Sequence, residues 1–134
     1  MIICPLLIRQ IQTEYLGRSS MQEFSITMED EPGALATCCE AIGAAGANIL
    51  AVAGVGDSNP TAAIVTDNAE ATAAALDGIG VNYRVSTLNT VTLPHSPGSL
   101  AEFTRGLAND GVNLRSLYVL SISGDSADVG YTTE

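Results

Sequence analysis

Two Pro-Gly pairs have residue types and a position that could bind an anion. Pro32-Gly33 and Pro97-Gly98 each precede a stretch with apolar residues at helical spacing. Proline fits the first turn of a helix, because its missing N–H would have no intrahelical partner there. The first-turn N–H groups that remain lie at the positive end of the helix and suit a carboxylate. Glycine has no side chain, so a ligand or a neighbouring backbone can approach closely.

An asparagine follows the predicted helix in both cases. Asn48 and Asn113 carry amides that can donate and accept hydrogen bonds, and Asp30 offers a carboxylate to a cation. Turn chemistry alone also explains these residue types, because helix ends and turns favour glycine, proline and asparagine. Both interpretations stay open at this point.

The other reactive residue types form no catalytic or metal-binding pattern. His95 is the only histidine and has no paired nucleophile, so we assign it first to a loop. Cys38 and Cys39 are adjacent, point in different directions on a helix and lack metal-ligand spacing. We therefore expect core packing for this pair, no enzyme activity, no metal and no cofactor.

The composition limits the kinds of molecule that the protein can bind. The 134 residues include 15 acidic and 5 basic side chains, a net charge of −10, and no lysine. Such a surface repels phosphate backbones and anionic lipids, so we expect neither nucleic acid nor membrane as a partner. With 46% hydrophobic but only 4% aromatic residues, the core must be built from small aliphatic side chains.

The cysteines and the N-terminal segment predict a cytoplasmic protein. Three cysteines, two of them adjacent, suggest no disulfide framework. The apolar run over residues 1–8 is too short for a membrane-spanning helix and has the wrong flanks for a signal peptide.

An internal repeat organises the chain. Four segments match at one offset of 65 residues without a gap: 25–28 with 90–93, 31–36 with 96–101, 46–49 with 111–114, and 62–64 with 127–129. A chance match would hold in one segment and fail in the others, so the repeat indicates a duplication.

In the first repeat, residues 24–28 alternate in polarity as a half-buried strand does. Asp30-Glu31 is predicted to cap a helix with Pro32 in its first turn. Leu35, Cys38 or Cys39, and Ile42 share one helix face, and Gly46 ends the helix.

The second repeat has the same pattern. Ser96 is predicted as the helix N-cap, followed by Pro97 at the first helical position. The apolar face carries Leu100, Phe103 and Leu107.

Two further strands follow each helix, and in the first repeat Asn68 caps a second helix that leads to a fourth strand. The order is βαββαβ, an α+β, ferredoxin-like unit, and the second copy is truncated after its third strand. We divide the chain into an N-terminal extension (1–21), a complete repeat (22–87) and a truncated repeat (88–134). Residues 1–20 are either a helix over the sheet face that the truncated copy leaves bare or a mobile extension.

The sequence resembles the pattern of ACT domains in two motifs. The first, acidic-x-Pro-Gly-x-Leu-Ala, lies between a strand and a helix. The second, Gly-x-Asn-Ile or Gly-x-Asn-Leu, opens the next strand. The resemblance covers residues 22–134 and, with two copies joined directly, is similar to stand-alone tandem ACT proteins. ACT domains are βαββαβ modules that bind amino acids and regulate metabolic enzymes. The second loop departs from the pattern, because His95-Ser96 stands where the first has Asp30-Glu31. This difference puts the equivalence of the two sites in question.

By this resemblance, a free amino acid is held between modules, where the helix-start loop of one faces the second strand of another. The implied ligand-binding residues are Asp30, Glu31, Pro32, Gly33, Ala34, Leu35, Asn48, Ile49, His95, Ser96, Pro97, Gly98, Ser99, Leu100, Asn113 and Leu114.

The resemblance thus implies a non-enzymatic, amino-acid-binding regulatory module that forms a homodimer. The alternative is a regulatory or structural subunit that binds a metabolic enzyme without a ligand of its own.

Overall fold

The computed structural model describes residues 21–134 as two compact units, Met21–Thr87 and Leu88–Glu134, called here the first and second modules. The first module contains β1 (Gln22–Thr27), α1 (Ala34–Ala44), β2 (Ile49–Val55), β3 (Thr61–Thr66), α2 (Ala69–Ile79) and β4 (Asn82–Thr87). The second contains β5 (Asn89–Pro94), α3 (Ser99–Asn109), β6 (Leu114–Ser123) and β7 (Ser126–Thr133). The two interpretations of residues 1–20 fall outside the described residues.

The first module is a four-stranded antiparallel sheet with strand order β2-β3-β1-β4. Successive side chains of a strand point to opposite faces, so Phe24 and Ile26 of β1 lie on one face, opposite Ile64 and Ala62 of β3. Both helices contribute to the core on that face. Its buried members are Phe24, Ile26, Cys38, Ile42, Ala47, Ala62, Ile64 and Leu76.

The second module has a three-stranded sheet, β5-β7-β6, with α3 packed on it. Phe103 of α3 and Tyr131 of β7 meet edge to face, with ring centroids 5.2 Å apart. The buried core residues are Val91, Leu93, Phe103, Leu107, Val129 and Tyr131. The prediction of an α+β chain of ferredoxin-like modules is confirmed.

The helix starts differ from the predicted caps. Gly33 and Gly98 are the N-cap residues of α1 and α3, with φ of 91° and 89°, and neither helix has a side-chain cap. The prediction that Asp30-Glu31 and Ser96 cap these helices is therefore wrong. Positive φ is open to glycine at little cost, so each glycine turns the chain into its helix. Each proline lies immediately before the N-cap, two residues before the first helical residue, instead of in the first turn.

The second helix of the first module does begin as predicted. Asn68 is the N-cap of α2, and its side chain accepts a hydrogen bond from the backbone N–H of Ala71 at 3.0 Å. Next to it, the hydroxyls of Thr66 and Thr72 are 2.7 Å apart and tie β3 to α2 in the buried interior.

In the second module, the pairing of the third strand with the first is shifted by two residues from the position that the sequence repeat predicts. Ile26 lies opposite Ala62, whereas its equivalent Val91 lies opposite Val129, where the offset of 65 would place Ala127. An even displacement leaves every side chain on the same face of the sheet. The hydrophobic pattern therefore continues through the displacement, and the sequence match gives no sign of it.

None of the helices in residues 21–134 is long and apolar enough to span a membrane.

Candidate functional site

A cavity of about 380 Å³ opens beside the start of α1 in the first module. We call it the hairpin-side cavity, because the end of the β2–β3 hairpin forms one wall and the β1–α1 loop with the first turn of α1 forms the other. Its described lining residues are Met28, Glu29, Asp30, Glu31, Gly33, Ala34, Leu35, Ala36, Gly54, Val55, Gly56, Pro60, Thr61 and Ala62.

Two backbone donors are available at this helix start. The N–H of Ala34 donates to the carbonyl of Glu31 and the N–H of Thr37 donates to that of Gly33. Between them, the N–H groups of Leu35 and Ala36 have no hydrogen-bond partner among the described residues. Unpaired first-turn amides at the positive end of a helix bind anions such as a carboxylate.

Three consecutive carboxylates line the same cavity. Glu29, Asp30 and Glu31 are all exposed, and none of the described lining residues is cationic. The carboxylates attract a positively charged group, while the amides of Leu35 and Ala36 attract a negative one. The cavity thus presents complementary charges to both ends of a zwitterion.

Leu35 lies beside this cavity and is 38% exposed. The prediction that Leu35 and its counterpart Leu100 belong to the core-facing stripes is wrong, since Leu100 is 41% exposed as well. Both residues sit in the first helical turn, just after the loop that follows the preceding strand. Val55 across the cavity is 70% exposed, so apolar surface remains available to a ligand side chain.

The second module repeats the glycine geometry but not the charges. The N–H groups of Leu100 and Ala101 have no partner among residues 21–134, and Gly98 matches Gly33 in conformation. The loop before Gly98 carries His95 and Ser96 in place of two carboxylates, and the Ser96 and Ser99 hydroxyls are 3.0 Å apart. This loop can attract a carboxylate but carries no carboxylate of its own for an ammonium group.

The two asparagines lie at the other end of their modules. Ile49 pairs with Thr66 at the far end of the sheet from the hairpin turn, so Asn48 is separated from Gly33 by the length of α1. A helix of 11 residues is about 16 Å long. The backbone of Asn48 bonds with Asp67, and Asn113 accepts a bond from the N–H of Glu134. Neither module brings its own asparagine to its own helix start, and a role for Asn48, Ile49, Asn113 and Leu114 in binding stays a prediction.

Sequence reasoning missed the hairpin wall. Gly54, Val55, Gly56, Pro60 and Thr61 line the cavity, although they carry none of the chemistry that drew attention to the loop. The N–H of Met28 donates to the carbonyl of Pro60 at 3.1 Å and holds the hairpin turn beside the loop. The pairing of β1 with β3, which the ferredoxin-like strand order implies, was the available signal.

No group of three or more His, Cys, Asp or Glu side chains that could hold a metal ion occurs in the part of the chain that the structure describes.

Several solved structures share this architecture over most of the chain. A protein from Bacteroides thetaiotaomicron matches with a TM-score of 0.71 and 18% identity, over 85% of this chain and 79% of that chain. The ligand-free regulatory subunit of aspartate kinase from Thermus thermophilus matches with a TM-score of 0.65 and 17% identity, over 84% and 83%. The corresponding subunit from Thermus flavus matches with a TM-score of 0.66 and 14% identity, over 85% and 82%.

The chain has a tandem ACT fold. Both copies of this fold place a glycine of positive φ at the start of the helix that follows the first strand, which is where the sequence motif lies. No family model matches the sequence, and no curated relative matches it. The tandem ACT assignment therefore depends on architecture and describes the fold.

Proposed function

We propose that the protein is a non-enzymatic regulatory module that binds a free α-amino acid at the start of α1, and that it acts in the cytoplasm. The observation that carries this proposal is the hairpin-side cavity, which combines unpaired helix-start amides with three carboxylates. An α-amino acid carries one negative and one positive group on the same carbon, and the cavity has partners for both.

Each part of the ligand has a defined partner. The α-carboxylate accepts hydrogen bonds from the N–H groups of Leu35 and Ala36, whose donor strength is increased by the helix dipole. The ammonium group lies against the carboxylates of residues 29–31. The side chain contacts the exposed apolar surface of Leu35 and Val55.

We assign the first module the stronger site. The second module keeps the helix-start amides near His95, Ser96, Pro97 and Gly98 but lacks the adjacent carboxylates. If modules of two chains face each other in a homodimer, Asn48 or Asn113 from a facing module completes a site, as the resemblance to ACT domains implies. A ligand held in this way stabilises one packing of the modules relative to another, and the partner binds the two packings with different affinities.

The neighbours support regulation in preference to catalysis. Two of the similar structures are regulatory subunits of aspartate kinase, so a chain of this fold can serve as the regulatory part of a metabolic enzyme. We infer that this chain has a comparable kind of partner.

A second candidate function is a subunit that binds a metabolic enzyme without a ligand of its own. The loop of the second module favours it, because His95 and Ser96 leave this module without the carboxylates that would bind an ammonium group. In that case no amino acid stabilises the chain.

A screen of the twenty amino acids by thermal shift, followed by calorimetry of those that bind, tests the proposal. A ligand at one hundred times its Kd adds about 2.7 kcal/mol to the free energy of unfolding, a shift of several degrees for a chain of this size. Replacing the carboxylates together (Glu29→Gln, Asp30→Asn, Glu31→Gln) should weaken binding roughly tenfold or more. Glu40→Gln, on the exposed surface of α1 away from the cavity, is the control and should bind normally.

The absence of any shift or heat with all twenty amino acids would reject the proposal and leave the second candidate. Normal affinity in both Asn48→Ala and Asn113→Ala would remove the asparagines from the site without affecting the assignment of the α1 start.

A further inference from the structure

One row of side chains across the first sheet is smaller than the corresponding row of the second sheet. Both rows cross three neighbouring strands on the face that the helices cover. They consist of Ile26, Ala62 and Gly54 in the first module and of Val91, Val129 and Val119 in the second. The side chains of the first row hold five carbons together, and those of the second row hold nine. The first module therefore lacks four side-chain carbons at this level of its sheet.

Gly54 contributes most to the difference, and neither its conformation nor crowding explains why it is glycine. The residue lies inside β2, where glycine weakens a strand. Its φ is not positive, and a Cβ added to it would have no heavy atom within 4 Å. Val119, the equivalent residue of the second module, shows that this strand position accepts a β-branched side chain. A glycine inside a strand often marks a place that a ligand approaches closely.

The space beside the small row belongs to the hairpin-side cavity. Gly54 and Ala62 line this cavity from the sheet, and Leu35 lines it from the first turn of α1. The unpaired amides of Leu35 and Ala36 lie in the same helical turn. The carboxylate and the side chain of an amino acid are attached to one carbon. A ligand held by these amides therefore has its side chain within reach of the small row.

The surroundings of this space favour an aliphatic side chain. Ala62 is 1% exposed, whereas the carboxylates of residues 29–31 are exposed, so the charged groups lie at the mouth of the cavity. The hydroxyl of Thr61, which follows the hairpin turn, already donates to the carbonyl of Asn59 at 3.2 Å. A polar or charged end on the ligand side chain would lose water here without gaining a hydrogen-bond partner.

We propose that the amino acid bound in the hairpin-side cavity is a branched aliphatic one, namely valine, leucine or isoleucine, and that Gly54 determines this selectivity. The inference rests on the proposed function, because it concerns the same amino-acid site. These ligands have three or four side-chain carbons, which matches the four that the small row lacks. The side chain lies over Gly54 and Ala62 and fills the volume that valines fill in the second module.

Calorimetric titration of the full chain with matched ligands tests the selectivity. Valine should bind roughly tenfold more tightly than alanine, because two more carbons are buried. Threonine has the shape of valine with a hydroxyl in place of a methyl group, and it should bind roughly tenfold or more weakly than valine. Aspartate and lysine, which carry a charge at the end of the side chain, should bind more weakly than leucine.

A substitution at Gly54 tests the assigned role. Gly54→Val gives the first module the larger side chain of the second and should weaken leucine and isoleucine binding at least tenfold. The Tm without ligand should not fall, because the position is open and valine favours strands. The matched control is Val52→Ile, which enlarges the same face of β2 outside the cavity and should bind normally.

An unchanged affinity for leucine in Gly54→Val would overturn the role of Gly54. Binding of threonine, aspartate or lysine as tight as that of valine would overturn the aliphatic class, and both results would leave the proposed amino-acid site standing. Failure of all twenty amino acids to bind would overturn this inference together with the proposed function. If Gly54→Val does not fold, Gly54→Ala replaces it and should weaken leucine binding more than alanine binding.

Discussion

At the scale of single residues, two glycines determine how the motif forms a site. Gly33 and Gly98 adopt almost the same positive φ although the residues around them differ in charge. A side chain at either position would have nothing within 4 Å of its Cβ. The requirement for glycine is therefore conformational and does not come from crowding.

Gly33→Ala should lower the free energy of unfolding by about 1–2 kcal/mol, because an L residue is strained at this φ. Gly43→Ala is the matched control. Gly43 lies inside α1, its φ is not positive, and its Cβ would also meet open space, so alanine should stabilise the helix by about 0.5–1 kcal/mol. Urea unfolding of both variants measures the difference, and equal changes of the same sign would contradict the explanation.

At the scale of elements, the helices differ in what fixes their starting points: a capping side chain in one case and backbone conformation in the other two. The start of α2 is fixed by one side chain, since Asn68 accepts the N–H of Ala71 and its own carbonyl accepts the hydroxyl of Thr72. The starts of α1 and α3 have no such side chain and depend on backbone conformation. Sequence analysis therefore placed the cap of α2 correctly and misplaced the other two.

Asn68→Ala should cost about 1 kcal/mol of stability through loss of the cap, whereas Asn68→Asp should retain most of it. Thermal unfolding with circular dichroism provides the measurement. A cost as large in the aspartate variant as in the alanine variant would show that capping is not the source.

A tyrosine links the end of α2 to β4 and makes the link dependent on pH. The hydroxyl of Tyr83 donates to the carboxylate of Asp77 at 2.8 Å. This hydrogen bond raises the pKa of Tyr83 above its usual value, and burial and the charge of Asp77 act in the same direction. The protonated form is favoured in the folded chain, so this contribution to stability is complete below the unfolded pKa of about 10 and disappears as the pH rises through the higher folded value.

The stability difference between the wild-type chain and Tyr83→Phe should therefore be constant below about pH 10 and decrease above it. The phenylalanine keeps the ring contact with Phe24, whose centroid is 5.6 Å away. Chemical denaturation across alkaline pH tests this, and a difference independent of pH would remove the Asp77 bond as its cause.

At the scale of the whole molecule, the dominant feature is the excess of negative charge. The net charge of −10 is spread over a chain without lysine, and Arg115 forms an ion pair with Glu134. Repulsion among carboxylates destabilises the compact state more than the unfolded one, because the charges are closer together in it.

Sodium chloride should therefore raise Tm, since the screening length falls from about 30 Å at 0.01 M to about 3 Å at 1 M. A variant with Glu40→Gln, Asp110→Asn and Asp125→Asn removes three exposed charges and should show a weaker salt dependence. The same slope in both chains would attribute the salt effect to something other than repulsion.

The site itself could be predicted only in part. Pro-Gly and the acidic residues before it marked the loop, since their conformational and charge properties are local. The hairpin wall around Val55 and the exposure of Leu35 could not be read in this way, because both depend on how distant strands pair.

The sequence by itself determined the repeat, the alternating strands and the class of fold, because strand and helix periodicities survive in residue order. Only the tertiary structure decided the helix caps and the two-residue displacement of β7. It also decided the separation of Asn48 from Gly33 and the walls of the hairpin-side cavity. The physical reason is that periodicity records which face of an element is apolar, whereas register, φ and cavity walls are set by contacts between residues that the chain brings together on folding.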